Sequence, residues 1–328
     1  MARTVVVVQH GFPDLSIERS VFADADLEVR ETDARTEEAV ASVARDADAL
    51  VIQQAPVTRA VFEEAENLAV VGRYGIGVDT IDLDAATDHG VPVVNVPDYC
   101  LDEVPTHALA LLLAVERTIP RYTEAIEAGD WDWTVGRPIY RLRGRTLGLA
   151  GFGSLARGVL ERAEPFGLEP IAYDPYVSGG EMAEYGAEKV SFDELLARSD
   201  VLSIHAPLTE ETRNLFDADA FDAMKDEAIL LNTARGAVVD VDALYDALVA
   251  GELRGAGLDV MPEEPPGDHP IFELDAAVFT PHVAWYSEES FVDLRRTVAE
   301  DVLRVLQGRT PANPVNELTS GSTGPERG

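Results

Sequence analysis

Short runs of β-branched and aliphatic residues alternate with amphipathic stretches along most of the chain. In the first third the runs are VVVV, DLEVRE, ALVI, LAVVG and VPVVNV, and between them TEEAVASVARDA and TRAVFEEAEN carry apolar residues at helical spacing. Runs this short and continuous predict strands buried on both faces, with the helical segments as cover. The expected product is an α/β unit around a parallel sheet that ends near Val96. Next, DEVPTHALALLLAVERTI predicts one long helix that bridges into a second unit. The irregular stretch EAGDWDWTVGRPIYRL follows, rich in tryptophan, glycine and arginine, and is a candidate subunit contact.

From Thr146 the alternation returns more clearly. TLGLAG, EPIAYD, VLSIHAP, AILLNTA, GAGLDV and AVFTP are six strand candidates, with helical patterns such as SFDELLARS and DVDALYDALVAG between them. Six parallel strands separated by helices describe a doubly wound dinucleotide-binding domain. SEESFVDLRRTVAEDVLRVLQG then reads as one long helix able to return the chain to the first unit. The expected fold class is α/β with two doubly wound domains, one formed by residues 1–99 and 288–328 and the other by residues 100–287. The small polar tail from Thr319 to Gly328 is expected to be disordered.

A length of 328 residues agrees with two domains. Charge is where the composition departs from the ordinary: 60 acidic residues face 26 basic ones for a formal net charge of -34, and Lys189 and Lys225 are the only lysines. Such a surface repels nucleic acid and anionic membranes, which removes both as general partners. The acid is spread through the chain, and with lysine scarce the composition has the look of adaptation to a high-salt cytoplasm, as in halophilic archaea. At molar salt the Debye length is about 3 Å, so self-repulsion is largely screened. A single cysteine, Cys100, excludes an internal disulfide framework and suits a reducing interior. No signal-peptide pattern opens the chain and no apolar run nears the ~20 residues of a membrane helix. A soluble, cytoplasmic protein is expected.

TLGLAGFGSLARG sets Gly151, Gly153 and Ala156 in a G-x-G-x-x-A pattern between a strand and a helix. Gly151 permits the tight turn, Gly153 lets backbone N–H groups approach a pyrophosphate, and Ala156 keeps the helix close to the strand. At the end of the next strand stands Asp174, where an acid accepts hydrogen bonds from the adenosine ribose. An acid there repels a 2′-phosphate and favours NAD over NADP; Arg157, on the helix, is the nearby group that complicates the preference.

Later strands end in a second constellation: Arg235 in LLNTARG, Glu263 and Glu264 in LDVMPEEPP, and His282 in FTPH. Reversible reduction of a 2-oxo acid requires such a set. Arginine forks onto the carboxylate and polarises the carbonyl. Histidine donates a proton to the oxygen as hydride arrives, and recovers it in the reverse direction, so the two directions should have opposite pH preferences. A carboxylate orients the imidazole. Taken singly, each of the three has an ordinary reading as a surface ion pair, a solvated acid or a core histidine.

RYGIGVDTIDLDAA, the glycine loop, HAPLTEETRNLF, NTARGAVVD, GAGLDVMPEEP and TPHVAWYSE, spread from about Gly72 to Gly308, together resemble the NAD-dependent D-2-hydroxyacid dehydrogenases. VPDYCLDEV and AWYSE are most similar to the branch of the C-terminal-binding protein, a dehydrogenase-like corepressor. The resemblance implies a flavodoxin-like substrate domain and a Rossmann NAD-binding domain with a cleft between them, a homodimer, and a small 2-oxo or D-2-hydroxy acid as substrate. It implies that Arg235, Glu264 and His282 are catalytic, with Glu264 chosen over Glu263 because the family's acid directly precedes the proline, here Pro265. Cofactor contacts are implied at Gly151, Gly153, Ser154, Leu155, Asp174, His205, Pro207, Thr233, Ala234 and Asp259. The backbone of Ile76 and Gly77 would receive the substrate carboxylate, and Trp285 would be a substrate contact or packing. The chain departs from the family at Val104-Pro105-Thr106, often Val-Ala-Glu there, and at Ala156, usually glycine.

Other groups carry less. Asp102 and Glu103 are adjacent and point to different helix faces, so they make a poor acid/base pair. No cluster has metal-ligand spacing, and Cys100 reads as an inert buried thiol. His10, His89, His107 and His269 have no evident partners in the sequence. The rival function is an NAD-sensing dimeric scaffold with little turnover. Formate dehydrogenase also resembles this family but lacks the glutamate partner, so Glu264 counts against it.

Overall fold

The computed structural model describes residues 2–318; the polar tail expected from Thr319 to Gly328 lies outside the described residues. The chain divides into two compact units, Met1–Tyr99 with Ser287–Gly328, and Cys100–Tyr286. In the first, β1 (Arg3–Val8), α1 (Ser16–Val21), β2 (Leu27–Thr32), α2 (Glu37–Ala44), β3 (Ala49–Ile52), α3 (Arg59–Glu64), β4 (Val70–Arg73), α4 (Leu83–Asp88) and β5 (Val93–Val94) alternate strictly. The strands form one sheet in the order β2-β1-β3-β4-β5, parallel throughout, which is the flavodoxin-like order. Val5, Val7, Leu50, Ile52, Val70 and Val71 are fully buried, as strands covered on both faces must be.

The second unit starts with α5 (Glu103–Glu116) and α6 (Ile119–Glu127). The helix expected over DEVPTHALALLLAVERTI is α5, which ends before Thr118, whose φ is 47°, and α6 follows where no element was expected. Pro120 has no N–H to continue the ladder and favours a new first turn instead. Nor is α5 a bridge: its buried Ala108, Leu111, Leu112 and Val115 pack within the second unit. Next come β6 (Thr146–Ala150), α7 (Ser154–Ala163), β7 (Glu169–Tyr173), α8 (Gly179–Glu184), β8 (Glu188–Lys189), α9 (Phe192–Arg198), β9 (Val201–Ile204), α10 (Ala218–Ala223), β10 (Ala228–Asn232), α11 (Val241–Ala250), β11 (Leu253–Leu258) and β12 (Ala277–Phe279). Their order is β12-β11-β10-β9-β6-β7-β8, again all parallel. The sheet has seven strands where six were expected. β8 escapes the sequence pattern because it is a two-residue edge strand with both residues exposed, too short to need apolar side chains.

The last helix, α12 (Glu288–Leu306), opens on a Ser287/Ser290 capping box and belongs to the first unit. Leu294, Val298, Val302 and Leu306 recur every four residues on its buried face, which covers the first sheet. On the same face Arg295, 1% exposed, donates from Nε to Glu18 Oε1 at 2.8 Å and from Nη2 to Glu18 Oε2 at 2.5 Å. Its guanidinium lies between the rings of Phe12 and Phe291, 4.8 and 5.0 Å from their centres. Tyr74 donates its hydroxyl to Glu18 at 3.0 Å. Burial first, and then the Glu18 charge, push that phenol well above its ordinary pKa.

Candidate active site

Because every strand of the second sheet runs the same way, each expected site residue of that unit leaves one edge of it. The glycine loop follows β6, Asp174 follows β7, His205 follows β9, Thr233 to Arg235 follow β10, Asp259 and Glu264 follow β11, and His282 follows β12. The strand order reverses direction at β6, beside β9, and open α/β sheets bind ligands at such switch points.

His282 meets its expected partner: Nδ1 lies 2.7 Å from Glu264 Oε2. Both side chains are partly exposed, at 29% and 24%, so the pair is ordered yet reachable. Glu264 Oε1 accepts from the Met261 N–H at 3.2 Å, which fixes the carboxylate. His282 has φ 52°, a left-handed backbone that a residue with a side chain keeps only when its surroundings impose it. Asp259, 1% exposed, imposes it. Its carbonyl accepts the His282 N–H at 2.7 Å. Its carboxylate accepts the Thr280 hydroxyl at 2.6 Å and the N–H groups of Val283 and Ala284 at 2.9 Å each. Thr280 Oγ1, having spent its proton on Asp259, accepts from His107 Nε2 at 2.9 Å. The indole N–H of Trp285 donates to the His282 carbonyl at 2.9 Å, so this tryptophan braces the loop.

Arg235 leaves β10, the neighbour of β11. Its Nη1 donates to Ala234 O at 2.7 Å. The loop is pinned from beneath by Asn232, whose side chain donates to Arg235 O at 2.9 Å and accepts from Ala234 N at 3.0 Å. Gly236 then touches the next loop directly: a Cβ there would overlap the Met261 carbonyl and Pro262 N. The arginine loop and the glutamate loop therefore lie backbone to backbone.

The residues expected to hold a dinucleotide fit one. Gly151 has φ 93°, and a Cβ on it would stand 2.9 Å from His205 C and Ala206 N, so the glycine loop lies close against the end of β9. Gly153, at the N-cap of α7, supplies no side-chain cap and has open space where a Cβ would be. Exposed N–H groups at such a terminus suit a diphosphate. Ser154 begins the helix, Leu155 is half-buried and Ala156 is buried against the strand. Asp174 Oδ2 accepts from Phe152 N at 2.9 Å, which sets the acid beside the glycine loop. Thr233 Oγ1 is buried with no hydrogen-bond partner, a polar atom left for a ligand. Half-buried His205 bonds through Nε2 to Ser203 Oγ at 2.9 Å, and burial pushes its imidazole down to about 4; Pro207 is exposed beyond it. Asp259, also implied as a cofactor contact, has its carboxylate engaged in the His282 loop.

In the first unit, Ile76 and Gly77 follow β4. Asn95 Nδ2 donates to Ile76 O at 2.6 Å, and Arg73 Nη1 donates to Tyr74 O. Asn95, Asn232, Gly236, Thr280 and His107 are braces that the sequence does not mark. The other three histidines are also engaged: His10 with Glu31 at 3.1 Å, His269 with Asp242 at 3.1 Å, and His89 with Ala85 O at 2.8 Å. Among the described residues no group of three or more His, Cys, Asp or Glu is arranged to hold a metal ion, and no helix is long and apolar enough to cross a membrane.

Residues 109–284, the span that carries both constellations, match the family described as D-isomer specific 2-hydroxyacid dehydrogenase, NAD binding domain. The chain belongs to this family. Against the D-3-phosphoglycerate dehydrogenase of Methanocaldococcus jannaschii it is 41% identical over 283 residues, 86% of this chain and 54% of the relative. The chain thus spans about half the length of the phosphoglycerate dehydrogenases it matches. The glyoxylate reductase of Thermococcus litoralis is 39% identical over 285 residues, 84% of this chain and 86% of that one. Among solved structures, a D-lactate dehydrogenase from Aquifex aeolicus complexed with NAD and lactic acid has a TM-score of 0.87 at 26% identity, covering 96% of this chain and all of that one. The D-2-hydroxyacid dehydrogenase fold and its NAD-binding domain are therefore those of this chain.

Proposed function

We propose that the chain is a dehydrogenase that moves hydride between NAD(H) and C2 of a small 2-oxo or D-2-hydroxy acid. The observation that carries this reading is the His282–Glu264 contact of 2.7 Å on the strand edge that also presents Arg235 and the glycine loop. When bound, the nicotinamide supplies or accepts the hydride. Arg235 holds the substrate carboxylate and polarises the carbonyl. The free Nε2 face of His282 moves the proton to or from the C2 oxygen, while Glu264 holds Nδ1. Ile76 and Gly77 offer backbone N–H groups to the carboxylate. Gly151, Gly153, Ser154 and Leu155 hold the diphosphate, Asp174 the ribose, and His205, Pro207, Thr233 and Ala234 line the rest of the dinucleotide.

Charge bears on whether the substrate is phosphorylated. Among the described residues, the loops that follow β1 to β5 carry His10 and Arg35 as basic side chains, with Arg73 at the end of β4. Each faces an acceptor: Glu31, Asp33 and Tyr74 O respectively. A net charge of -34 further opposes a phosphorylated acid. Unphosphorylated acids are the better fit. The acid excess supports a halophilic, cytoplasmic protein. The exposed Ile119, Ile126, Trp131 and Trp133, at 53%, 52%, 90% and 71%, support a homodimer through α6 and the segment after it. That same surface would equally serve the second reading, a dimeric NAD-sensing scaffold of the C-terminal-binding-protein branch.

NADH oxidation in molar KCl, tested with glyoxylate, pyruvate, hydroxypyruvate and 3-phosphohydroxypyruvate, separates the readings. Turnover on the order of 10 per second on an unphosphorylated acid is expected. Turnover below roughly one per minute on all four would favour the scaffold.

A further inference from the structure

The acid proposed to read the ribose and the arginine beside it bond to the backbone of one residue, Phe152. Phe152 N–H donates to Asp174 Oδ2 at 2.9 Å, and Phe152 C=O accepts Arg157 Nε at 3.1 Å. Arg157 is therefore close to where a 2′-phosphate would lie, and an extended guanidinium there would neutralise it. It is not extended. Nη2 is 2.6 Å from Glu181 Oε1 and Nη1 is 3.3 Å from the Tyr185 hydroxyl. The guanidinium carbon lies 5.3 and 4.7 Å from the ring centres of Phe152 and Tyr185. The clamp leaves the Arg157 side chain 25% exposed. Lys189 donates to Val177 O.

We infer that Glu181 is a cofactor-specificity residue: with Tyr185 it keeps the Arg157 guanidinium engaged, so a 2′-phosphate meets Asp174 without that cation to balance it. Discrimination then has two sources, repulsion by Asp174 and withholding of Arg157 by Glu181. A specificity device of this kind works through the disfavoured ligand. The inference rests on the reading of the glycine loop as the NAD site.

The test is direct titration of NADH and NADPH, by calorimetry at one fixed KCl concentration, on the wild type, Asp174→Ser, Asp174→Ser/Glu181→Gln, and the triple variant that adds Arg157→Gln. The readout is the ratio of the two dissociation constants. Asp174→Ser alone lowers the NADPH-to-NADH ratio, and adding Glu181→Gln lowers it a further ~10-fold, about 1.4 kcal/mol. Arg157→Gln on top removes that further gain. A double variant no better than Asp174→Ser overturns the inference. A gain that survives Arg157→Gln also overturns it, because Glu181 would then act by its own charge. Wild-type protein that binds neither dinucleotide overturns the cofactor reading itself, and is seen before any variant is made. Thermal melts of all four proteins within a few degrees of each other show that the ratios come from folded material.

Discussion

At the scale of single residues, the proposed proton-transfer histidine is held in place by a buried carboxylate. Asp259 spends three acceptor contacts on Thr280, Val283 and Ala284, and with them keeps His282 in its left-handed backbone. Asp259→Asn turns one acceptor into a donor that faces donors. A buried mismatch of that kind costs about 2–3 kcal/mol and lets the imidazole wander. The expected result is a kcat lower by about 100-fold, since a displacement near 1 Å has that effect, with the Kd for NADH changed much less. Steady-state kinetics beside a NADH titration decides: a raised Kd with kcat intact would return Asp259 to the cofactor contact that the resemblance implied. Gly236→Ala is the second probe. Its Cβ would overlap Met261 and Pro262 backbone, which must shift and carry Glu264 with it; overpacking of this type costs about 1–3 kcal/mol. Activity should fall by 10-fold or more while Arg235 and His282 remain present, and a variant with wild-type kcat/KM would show that the two loops are not coupled. The charged members of the site were legible in the sequence because their chemistry is rare and their spacing characteristic. Gly236, Asn232 and Thr280 were not, because each acts on a strand-end loop brought alongside only by the order of the sheet.

At the scale of elements, α12 shows what periodicity conveys and what it conceals. The helix and its return to the first unit were readable from the four-residue apolar repeat. That Arg295, in the middle of this stripe, is fully buried was not, since an arginine at a core position carries no sign of its partner. That partner, Glu18, lies 277 residues away. A buried ion pair is weak evidence of stability, but removing one side strands the other. Glu18→Gln should therefore destabilise the first unit by about 3–5 kcal/mol, whereas Glu18→Leu with Arg295→Met should cost far less or nothing. Guanidinium melts of the two variants test this; equal losses would mean that packing around Phe12 and Phe291, and not the charge, is what the arginine contributes. The new helix α6 that starts after Thr118 and the edge strand β8 were missed for a related reason. Both are set by backbone geometry at one or two residues, below the window over which hydrophobic spacing is read.

At the scale of the whole molecule, salt and acid both relieve the self-repulsion of the fold. With a net charge of -34 the folded chain repels itself at low ionic strength, and a Debye length near 3 Å at 1 M salt removes most of that. The melting temperature should therefore rise by several degrees between dilute and molar KCl. Acidification also relieves the repulsion, so at low salt it hides any group that opposes folding in acid. His205 is such a group. Burial holds it at about 4 when folded, against an ordinary 6.5 when unfolded. Between those values the unfolded chain binds the proton and the folded one does not, so stability falls as pH drops from 6.5 towards 4. A difference of that size is worth on the order of 3 kcal/mol. The carboxylates held low in the fold, Glu188 by Arg198 and Glu194 by Ser191 among them, begin to lose their contribution only as pH falls to the ordinary carboxylate value of 4.5, and so leave most of this window unmasked. In molar KCl, melts taken from pH 7 to 4.5 should show the decline, and His205→Asn should flatten it. A wild-type profile already flat in that range, or a variant with the same slope, would mean that the proton finds His205 without unfolding it.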